Sequence, residues 1–220
     1  MKTINYKTDL CIIGGGLSGI CAAISAARHN VKVILVQDRP MLGGNSSSEI
    51  RMWVGGAKGK DNRESGLIEE IECENYYYNT SYIFPMWDTF LYQKVLAEPN
   101  ITLLLNTTCF KCDYKNNHIN SIICWQLNTE TTHIIEANIF ADCSGDSIIA
   151  GLTGAACMYG REVKKILMNL YHLMSPIKRL WVCLVCFKLR KQIHRNLLLN
   201  LRLLTHIKAK KNCLLKIIEN

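Results

Sequence analysis

Three glycines near the amino terminus are spaced as G-x-G-x-x-G. Gly14, Gly16 and Gly19 follow directly on the apolar run Leu10–Ile13. In this pattern the first glycine allows a tight turn, the second lets backbone approach a pyrophosphate, and the third lets the next helix pack closely on the sheet. The free N–H groups and positive dipole end of that helix then face the phosphates. The spacing predicts a dinucleotide site, and a purely structural turn is the alternative.

Apolar periodicity supplies the elements that would position this turn. The run before Gly14 indicates a buried strand, and apolar or small residues then recur on one helical face. Those residues are Ile20, Ala23, Ile24 and Ala27. The sequence therefore predicts a strand, a glycine turn and a helix in that order.

A second buried strand, Val31–Gln37, ends 23 residues after Gly14. An acidic side chain at this point normally binds the adenosine ribose. This chain has Gln37 there, with Asp38 next to it. The amide of Gln37 can hydrogen-bond a ribose hydroxyl without charge. We expect Gln37 or Asp38 to bind the ribose.

The segment after the second strand is rich in glycine and hydroxyl groups. Gly43 and Gly44 precede Asn45 and a run of serines. A segment that returns past the first glycine turn can donate hydrogen bonds to a long cofactor. The alternative is a polar surface loop.

Three motifs in this order resemble the FAD-dependent oxidoreductase family. They lie at residues 12–19, 37–51 and 141–147, and the resemblance covers about residues 7 to 165. This family is part of the glutathione-reductase-like flavoprotein superfamily, which also holds fumarate reductase, and it is related to the flavin-binding component of heterodisulfide reductase. The resemblance implies FAD and a two-electron flavin reaction. It implies a 4Fe-4S cluster only through the heterodisulfide-reductase relatives.

The resemblance also assigns site residues further along the chain. Asp146 resembles the carboxylate that binds near the flavin side of the pyrophosphate and the ribityl chain, and the end of a third strand, about Thr108 to Cys109, would pass the adenine. Together the predicted cofactor-binding residues are Gly14, Gly16, Leu17, Ser18, Gly19, Gln37, Asp38, Arg39, Gly43, Gly44, Asn45, Ser46, Ser47, Thr108, Cys109, Ser144, Gly145 and Asp146.

Catalytic residues are not defined by any motif. Glu49 and Arg51 form the one charged pair inside a motif, and Arg51 could stabilise negative charge on a reduced flavin. The alternative is a buried ion pair that fixes the loop. An aromatic cluster could face the substrate or the flavin, although core and rim packing is the more common use of such a cluster. Its members are Tyr76, Tyr77, Tyr78, Tyr82, Phe84 and Trp87.

The remaining elements complete an α/β, Rossmann-like domain. Trp87–Leu96 indicates a helix with Phe90, Leu91 and Val95 on one side, and Ile101–Cys109 indicates the third strand. Three further alternating segments predict a small antiparallel meander beside the parallel sheet. They are Cys112–Tyr114, Ile119–Gln126 and His133–Phe140.

The composition changes near Lys165. Residues 1–165 hold 15 basic and 17 acidic residues, whereas residues 166–220 hold 11 basic residues and Glu219 as the sole acidic one, and all 14 glycines precede residue 161. A set of codons that encodes residues 166–194 also encodes, read two bases later, a segment with ordinary charge balance, proline and glycine. We therefore predict an incomplete FAD-binding domain at 1–165 and an out-of-frame, basic, Leu-rich tail without native structure at 166–220.

Two rival functions stay open. One is a nicotinamide-dependent dehydrogenase with the same glycine turn, and the other is a basic module that binds membrane or nucleic acid through residues 166–220. If the chain is a flavoprotein, we expect neither a membrane nor a nucleic-acid partner, and the substrate and electron partner stay unknown.

Cysteine usage bears on compartment and metals. Eleven cysteines, without a secretory segment, indicate thiols in a reducing compartment, and hence the cytoplasm. The pairs Cys109/Cys112 and Cys183/Cys186 lack the four-cysteine run of an iron–sulfur site. Because Cys109 and Cys112 lie on a strand, alternation would point them to opposite faces. We expect no metal site.

Overall fold

The computed structural model describes residues 2–56, 64–159 and 183–185. Its centre is a six-stranded sheet in the order β3-β2-β1-β6-β5-β4. The strands are β1 (Lys2–Ile13), β2 (Val33–Val36), β3 (Ile101–Leu104), β4 (Thr107–Lys115), β5 (His118–Gln126) and β6 (Thr131–Asp142). The first three strands and β6 are parallel, and β5 and β4 extend the sheet antiparallel. The predicted α/β class is confirmed.

Among the described residues, four α-helices accompany the sheet. They are α1 (Leu17–Arg28), α2 (Leu67–Tyr78), α3 (Phe84–Leu96) and α4 (Ile148–Thr153). The buried face of α1 is the predicted one, with Gly19 added to it, and α3 buries Trp87 as well as its three predicted residues. Two of these helices were not predicted, the short α4 and α2, and the run of glutamates and tyrosines in α2 has only a narrow apolar stripe around Ile71. No helix of the described residues is long and apolar enough to cross a membrane.

The central strands are buried on both faces, as parallel strands under helices should be. Along β2, Val33 and Leu35 join the cluster beneath α1, α2 and α3, while Ile34 and Val36 join a second cluster on the opposite face. The second cluster is closed by the meander strands and by Ile149 of α4. The sheet therefore separates two hydrophobic cores. The edge at which the parallel strands end belongs to neither core.

One strand, β6, belongs to both parts of the sheet. It pairs with β1 from Thr131 to Asp142 and with β5 over its first half. The meander that was predicted beside the parallel sheet is therefore continuous with that sheet. The predicted third strand is also shorter than expected, since β3 ends at Leu104 and Asn106 takes a left-handed φ of 51° before β4 begins.

Cys109 and Cys112 do not point to opposite faces, so that prediction is wrong. A bulge in β4 places Cys109 opposite Cys124 and Cys112 opposite Ile122. Because those two partners are two residues apart on β5, they share a face, and both cysteines pack in or against the same apolar cluster. The extra residue at the bulge cancels the alternation that the spacing implied.

The carboxyl-terminal region is described only in part. Strand β7 (Cys157–Tyr159) pairs antiparallel with β8 (Cys183–Val185) through backbone partners such as Cys157 and Val185. The other residues of the predicted tail lie outside the described residues. The domain boundary near residue 165 and the frameshift hypothesis stay predictions.

Candidate dinucleotide-binding site

Three chain segments meet at the carboxyl edge of the parallel strands. The N–H of Gly14, directly after β1, donates to the carbonyl of Val36 in β2 at 2.8 Å. The N–H of Cys143, directly after β6, donates to the carbonyl of Ile13 at 2.7 Å. In open α/β sheets this edge is where ligands bind.

Two of the three motif glycines are required by the protein's own packing. Gly14 has a φ of 104°, and a Cβ there would lie 2.6 Å from the backbone carbon of Cys143. A Cβ on Gly19 would collide with the carbonyl oxygen of Gly14. The first and third glycines therefore do what the spacing predicts, namely make the turn and bring α1 close to the sheet.

Gly16 differs from the other two. It has an ordinary φ of −69°, and a Cβ built on it would have no atom within 4 Å. Nothing in the described part of the chain therefore requires glycine at this position. Open space beside a glycine at the head of a helix matches the place where backbone would approach a pyrophosphate.

The amino end of α1 is uncapped. Gly16 is the residue that precedes the helix, no side chain hydrogen-bonds to its first turn, and that turn contains no acidic residue. The first N–H groups of a helix need partners, and the helix dipole favours an anion there. Leu17 and Ser18 occupy this first turn, as predicted for residues beside the phosphates.

The glycine- and serine-rich segment returns onto the glycine turn. The N–H of Gly43 donates to the carbonyl of Gly15 at 2.8 Å, and Gly43 also pairs with Gly16 as an isolated parallel bridge. A short 3₁₀ turn, Gly44–Ser46, follows. This confirms the expected return of the segment past the first glycine turn, and it excludes a detached surface loop.

Helix α3 holds this segment in place, which the sequence did not show. The carboxylate of Asp88 accepts from the N–H of Ser48 at 3.0 Å, and the indole N–H of Trp87 donates to Oγ of Ser46 at 3.4 Å. Ser46 and Ser47 are buried, whereas Asn45 is exposed. Asn45 is therefore the side chain of this run that is open to solvent and to a ligand.

Gln37 lies at the predicted position, but both polar atoms of its side-chain amide already form hydrogen bonds within the protein. Oε1 accepts from the N–H of Gly15 at 2.7 Å, and Nε2 donates to the carbonyl of Met41 at 3.1 Å. The side chain is buried, whereas Asp38 and Arg39 are exposed. Gln37 therefore braces the glycine turn, and of the two ribose candidates Asp38 has the freer side chain.

A carboxylate that was not among the predicted site residues organises the third motif. Asp142 accepts from the N–H and the hydroxyl of Ser144 at 3.0 and 2.6 Å, and from the N–H of Ile149 at 2.8 Å. It therefore joins the end of β6 to the first turn of α4. Gly145 and Asp146, between these anchors, are exposed. The motif could have indicated this role, since Asp before a Ser-Gly turn often caps it.

Ser147 follows Asp146 in an unusual state. Its φ is 54°, its side chain is buried, and its hydroxyl has no hydrogen-bond partner. A buried hydroxyl without a partner is costly. Such a hydroxyl next to the predicted phosphate-binding turn is consistent with a polar ligand at this edge.

Thr108 and Cys109 lie in the meander strand β4, not at the end of β3. The chain stays close to the ribose position, because the N–H of Thr107 donates to the carbonyl of Gln37 at 2.9 Å. Thr108 is exposed, whereas Cys109 is buried in the second core. A hydrogen bond with the thiol of Cys124 lowers the pKa of Cys109, against the effect of burial.

The predicted Glu49–Arg51 pair does not form as a buried ion pair. Oε1 of Glu49 lies 3.9 Å from Nη1 of Arg39, and Nε of Arg51 donates to the carbonyl of Ser48 at 3.1 Å. Both Glu49 and Arg51 are exposed, and Arg51 has a left-handed φ of 61°. Both side chains are open to solvent, and among the described residues neither contacts a group that would form a catalytic pair with it.

No group of three or more His, Cys, Asp or Glu side chains in the described part of the chain could hold a metal ion. Six cysteines of that part are thiols outside any disulfide, namely Cys11, Cys21, Cys73, Cys109, Cys112 and Cys124. Burial raises the pKa of Cys11, which lies near Cys109 in the second core.

The fold and these contacts define a flavoprotein-type nucleotide-binding domain. The sequence pattern of the family described as FAD dependent oxidoreductase matches residues 9–209. The chain belongs to this family, which confirms the predicted family and its FAD cofactor. The match continues past residue 165, where the recognisable motifs were expected to end.

Curated relatives match over short stretches. Glycerol-3-phosphate dehydrogenase of Mycobacterium leprae is 39% identical over 66 residues, 30% of this chain and 11% of that protein. An iron-sulfur protein of the CoB--CoM heterodisulfide reductase from Methanopyrus kandleri is 43% identical over 44 residues, 20% of this chain and 7% of that protein. The matched stretches are thus a small part of each relative.

Among solved structures, L-proline dehydrogenase from P. horikoshii is similar at 19% identity and a TM-score of 0.41. The similarity covers 66% of this chain and 24% of that one.

Proposed function

We propose that this chain binds FAD along the edge where β1, β2 and β6 end, as the nucleotide-binding part of an oxidoreductase that acts on a small molecule. The observation that carries the proposal is the uncapped amino end of α1, which opens beside Gly16 onto free space. An anionic pyrophosphate supplies the hydrogen-bond acceptors that these N–H groups lack. The family match supports FAD as the dinucleotide.

Different residues would bind different parts of FAD. The first turn of α1, with Leu17 and Ser18, would bind the pyrophosphate, and Asp38 would bind the ribose with Gln37 as a brace beneath it. Gly43–Ser47 would lie along the cofactor, held from behind by Trp87 and Asp88. The turn at Ser144–Asp146, anchored by Asp142, would bind the far phosphate and the ribityl chain.

Bound FAD would supply two-electron redox chemistry. The chain itself would contribute orientation and electrostatics. Arg51 and Glu49 are exposed near the end of the glycine- and serine-rich segment and are among the described charged groups that could contact the ring or the substrate. A positive group near the ring favours its reduced, anionic form.

We also infer a cytoplasmic location. The support is the cysteine usage, because six cysteines of the described residues, Cys11, Cys21, Cys73, Cys109, Cys112 and Cys124, are thiols outside any disulfide. Thiols persist in reducing compartments.

The test is direct measurement of FAD binding by the purified full chain. Flavin fluorescence and absorbance are followed during titration with FAD, and NAD is titrated in parallel. We expect FAD to bind and NAD to compete weakly. A Gly16→Ala variant should keep its fold, because its φ is ordinary and its Cβ meets no atom, yet lose FAD affinity by at least about tenfold.

The matched control is Gly151→Ala. Gly151 is an exposed glycine of α4 with no atom within 4 Å of a built Cβ, and it lies outside the proposed site. This variant should bind FAD as the parent does. A folded parent chain that retains no FAD would overturn the proposal, and so would equal FAD affinity of both variants.

A further inference from the structure

A second concave surface lies between α2, α3 and the segment that ends the glycine- and serine-rich loop. It is a cavity of about 190 Å³. Its lining residues are Trp53, Val54, Glu72, Asn75, Tyr76, Tyr82 and Trp87. Four of these seven side chains are aromatic and one is a carboxylate.

The aromatic side chains form walls at different angles. The rings of Tyr76 and Tyr82 meet edge to face with centroids 5.2 Å apart and planes at 74°. Trp53 meets Tyr82 at 6.0 Å and 83°. Walls that are nearly perpendicular present several ring faces and edges to one half-open cavity. This arrangement resembles the aromatic cages that bind quaternary ammonium groups.

The walls are held by specific contacts. Trp53 stacks on Phe84 at 4.2 Å, and Trp87 is buried and hydrogen-bonded to Ser46. These contacts restrain Trp53 and Trp87 before any ligand binds, whereas Tyr76 and Tyr82 are 53% and 48% exposed. A preformed site loses little conformational freedom on binding.

The link between α2 and α3 positions Tyr82. Asn79 is buried, its Oδ1 accepts from the N–H of Ile83 at 2.9 Å, and its Nδ2 donates to the carbonyl of Ile83 at 3.0 Å. Tyr82 itself takes a left-handed φ of 51°. Strained backbone of this kind persists where surrounding contacts fix it, and it is frequent at ligand sites.

The carboxylate of Glu72 determines whether the cavity favours a positively or a negatively charged ligand. Glu72 lies on the same face of α2 as Asn75 and Tyr76, and no cation among the described residues pairs with its carboxylate. Burial, and then the nearby carboxylate of Glu64, raises the pKa of Glu72. A partly buried carboxylate that pairs with no cation of the described residues, and that lies beside aromatic faces, would be stabilised by a cationic ligand and would repel an anion.

We propose that Trp53, Tyr76, Tyr82 and Trp87, with Glu72, form a binding site for a small organic cation of the alkylammonium class. The site is next to the proposed cofactor segment, because Trp87 contacts Ser46. A cation bound there would lie against the face of α3 that supports that segment. The inference goes beyond flavin binding and does not depend on it.

The test compares choline with 3,3-dimethylbutan-1-ol, its neutral isostere, by calorimetry and by tryptophan fluorescence of the full chain. The two probes share shape and apolar area, so that a difference between them reports charge. We expect choline to bind at least about tenfold more tightly, which is the scale of a partly desolvated cation–π contact. Equal binding of the two probes, or no binding of choline, overturns the proposal.

Variants locate the site. Glu72→Gln keeps the shape and removes the charge, and should weaken choline about tenfold while leaving the neutral alcohol unchanged. Tyr76→Ala should weaken both probes. The control is Tyr77→Ala, because Tyr77 is the next residue of α2 but is 76% exposed and does not line the cavity. Unchanged choline binding by Glu72→Gln contradicts the proposal.

Failure here is distinguishable from failure of the flavin proposal. Gly16→Ala should lose FAD and bind choline as the parent does, whereas Glu72→Gln should bind FAD as the parent does. Measuring both ligands on both variants separates the two sites. Loss of choline binding in Gly16→Ala would show that the cavity is not an independent site.

Discussion

The amide oxygen of Gln37 accepts a hydrogen bond from the backbone N–H of Gly15 at 2.7 Å. The side chain at the end of the second strand thus holds the middle of the glycine turn at the end of the first. Gln37, which the sequence pattern predicts beside a ribose, therefore also stabilises the glycine turn. Its removal should disturb stability and ligand affinity together.

Replacing Gln37 by Leu should destabilise the protein. The change leaves the buried N–H of Gly15 and the carbonyl of Met41 without their partners. We expect a loss of about 1 to 3 kcal/mol in the free energy of unfolding, measured by urea titration. FAD affinity should fall as well, because the turn is no longer held. Asp38→Asn, on the adjacent exposed residue, should leave stability within about 0.5 kcal/mol of the parent; an equal loss in both variants would contradict the bracing role.

Gly14→Ala should prevent stable folding, in contrast to Gly16→Ala. An alanine at residue 14 would have to adopt a φ of 104°, and its Cβ would lie 2.6 Å from the backbone of Cys143. At residue 16 neither obstacle exists. Thermal unfolding followed by circular dichroism compares the two variants. A Gly14→Ala protein as stable as Gly16→Ala would show that the turn has a different geometry.

Asp142→Ala should loosen the third motif. The carboxylate accepts from two donors of Ser144 and from the N–H of Ile149, and all three lose that partner. We expect a loss of about 1 to 3 kcal/mol in unfolding free energy and weaker FAD binding, since the exposed turn at Asp146 is no longer anchored. The measurements are urea unfolding and FAD titration. Asp113→Ala, on an exposed carboxylate of the meander, is the control and should bind FAD normally.

An ion-pair network should make stability depend on acid. Arg28 of α1 contacts Glu70 of α2 at 2.8 Å and Glu98 at 2.7 Å, and Lys94 of α3 contacts Glu70 at 2.7 Å. Chiefly through its hydrogen bond with Arg28, the network lowers the pKa of Glu70 from 4.5 to about 2. A lowered pKa in the folded state stabilises the protein above pH 4.5, and this contribution is lost as the pH falls toward about 2.

Glu70→Gln should remove that dependence. Arg28 and Glu70 are 40% and 35% exposed, so that solvent screening limits the effect to about 1 kcal/mol near neutral pH. Urea unfolding at several pH values between neutrality and acid measures the difference between parent and variant, which should shrink as the pH falls. Glu136→Gln, on an exposed carboxylate of β6, should leave the pH profile unchanged. A gap between parent and Glu70→Gln that is constant with pH would exclude the network as its source.

The parts of the fold that the sequence predicted are those where one local rule acts alone. The spacing of Gly14, Gly16 and Gly19 and the continuous apolar run of β2 each follow from a single requirement, of turn geometry or of burial on both faces. The return of Gly43 onto the glycine turn followed from composition and from resemblance together.

The parts that were missed depend on partners distant in sequence. Asp142 gains its role from Ile149, and the buried face of α2 exists because α1 and α3 cover it. The shared face of Cys109 and Cys112 results from a bulge that only the pairing with β5 reveals. None of these contacts produces a periodic pattern of apolar residues within its own segment of the sequence.

Strand β6 runs beside β1 along nearly all of its length and carries β5 on its other edge. A polypeptide cut anywhere before residue 131 would therefore leave the flank of β1 that faces β6 without hydrogen-bond partners for its backbone. Open flanks of this kind recruit other chains. Fragments made to isolate the glycine turn should consequently precipitate. A shortened form of this protein therefore has to keep β4, β5 and the long strand β6.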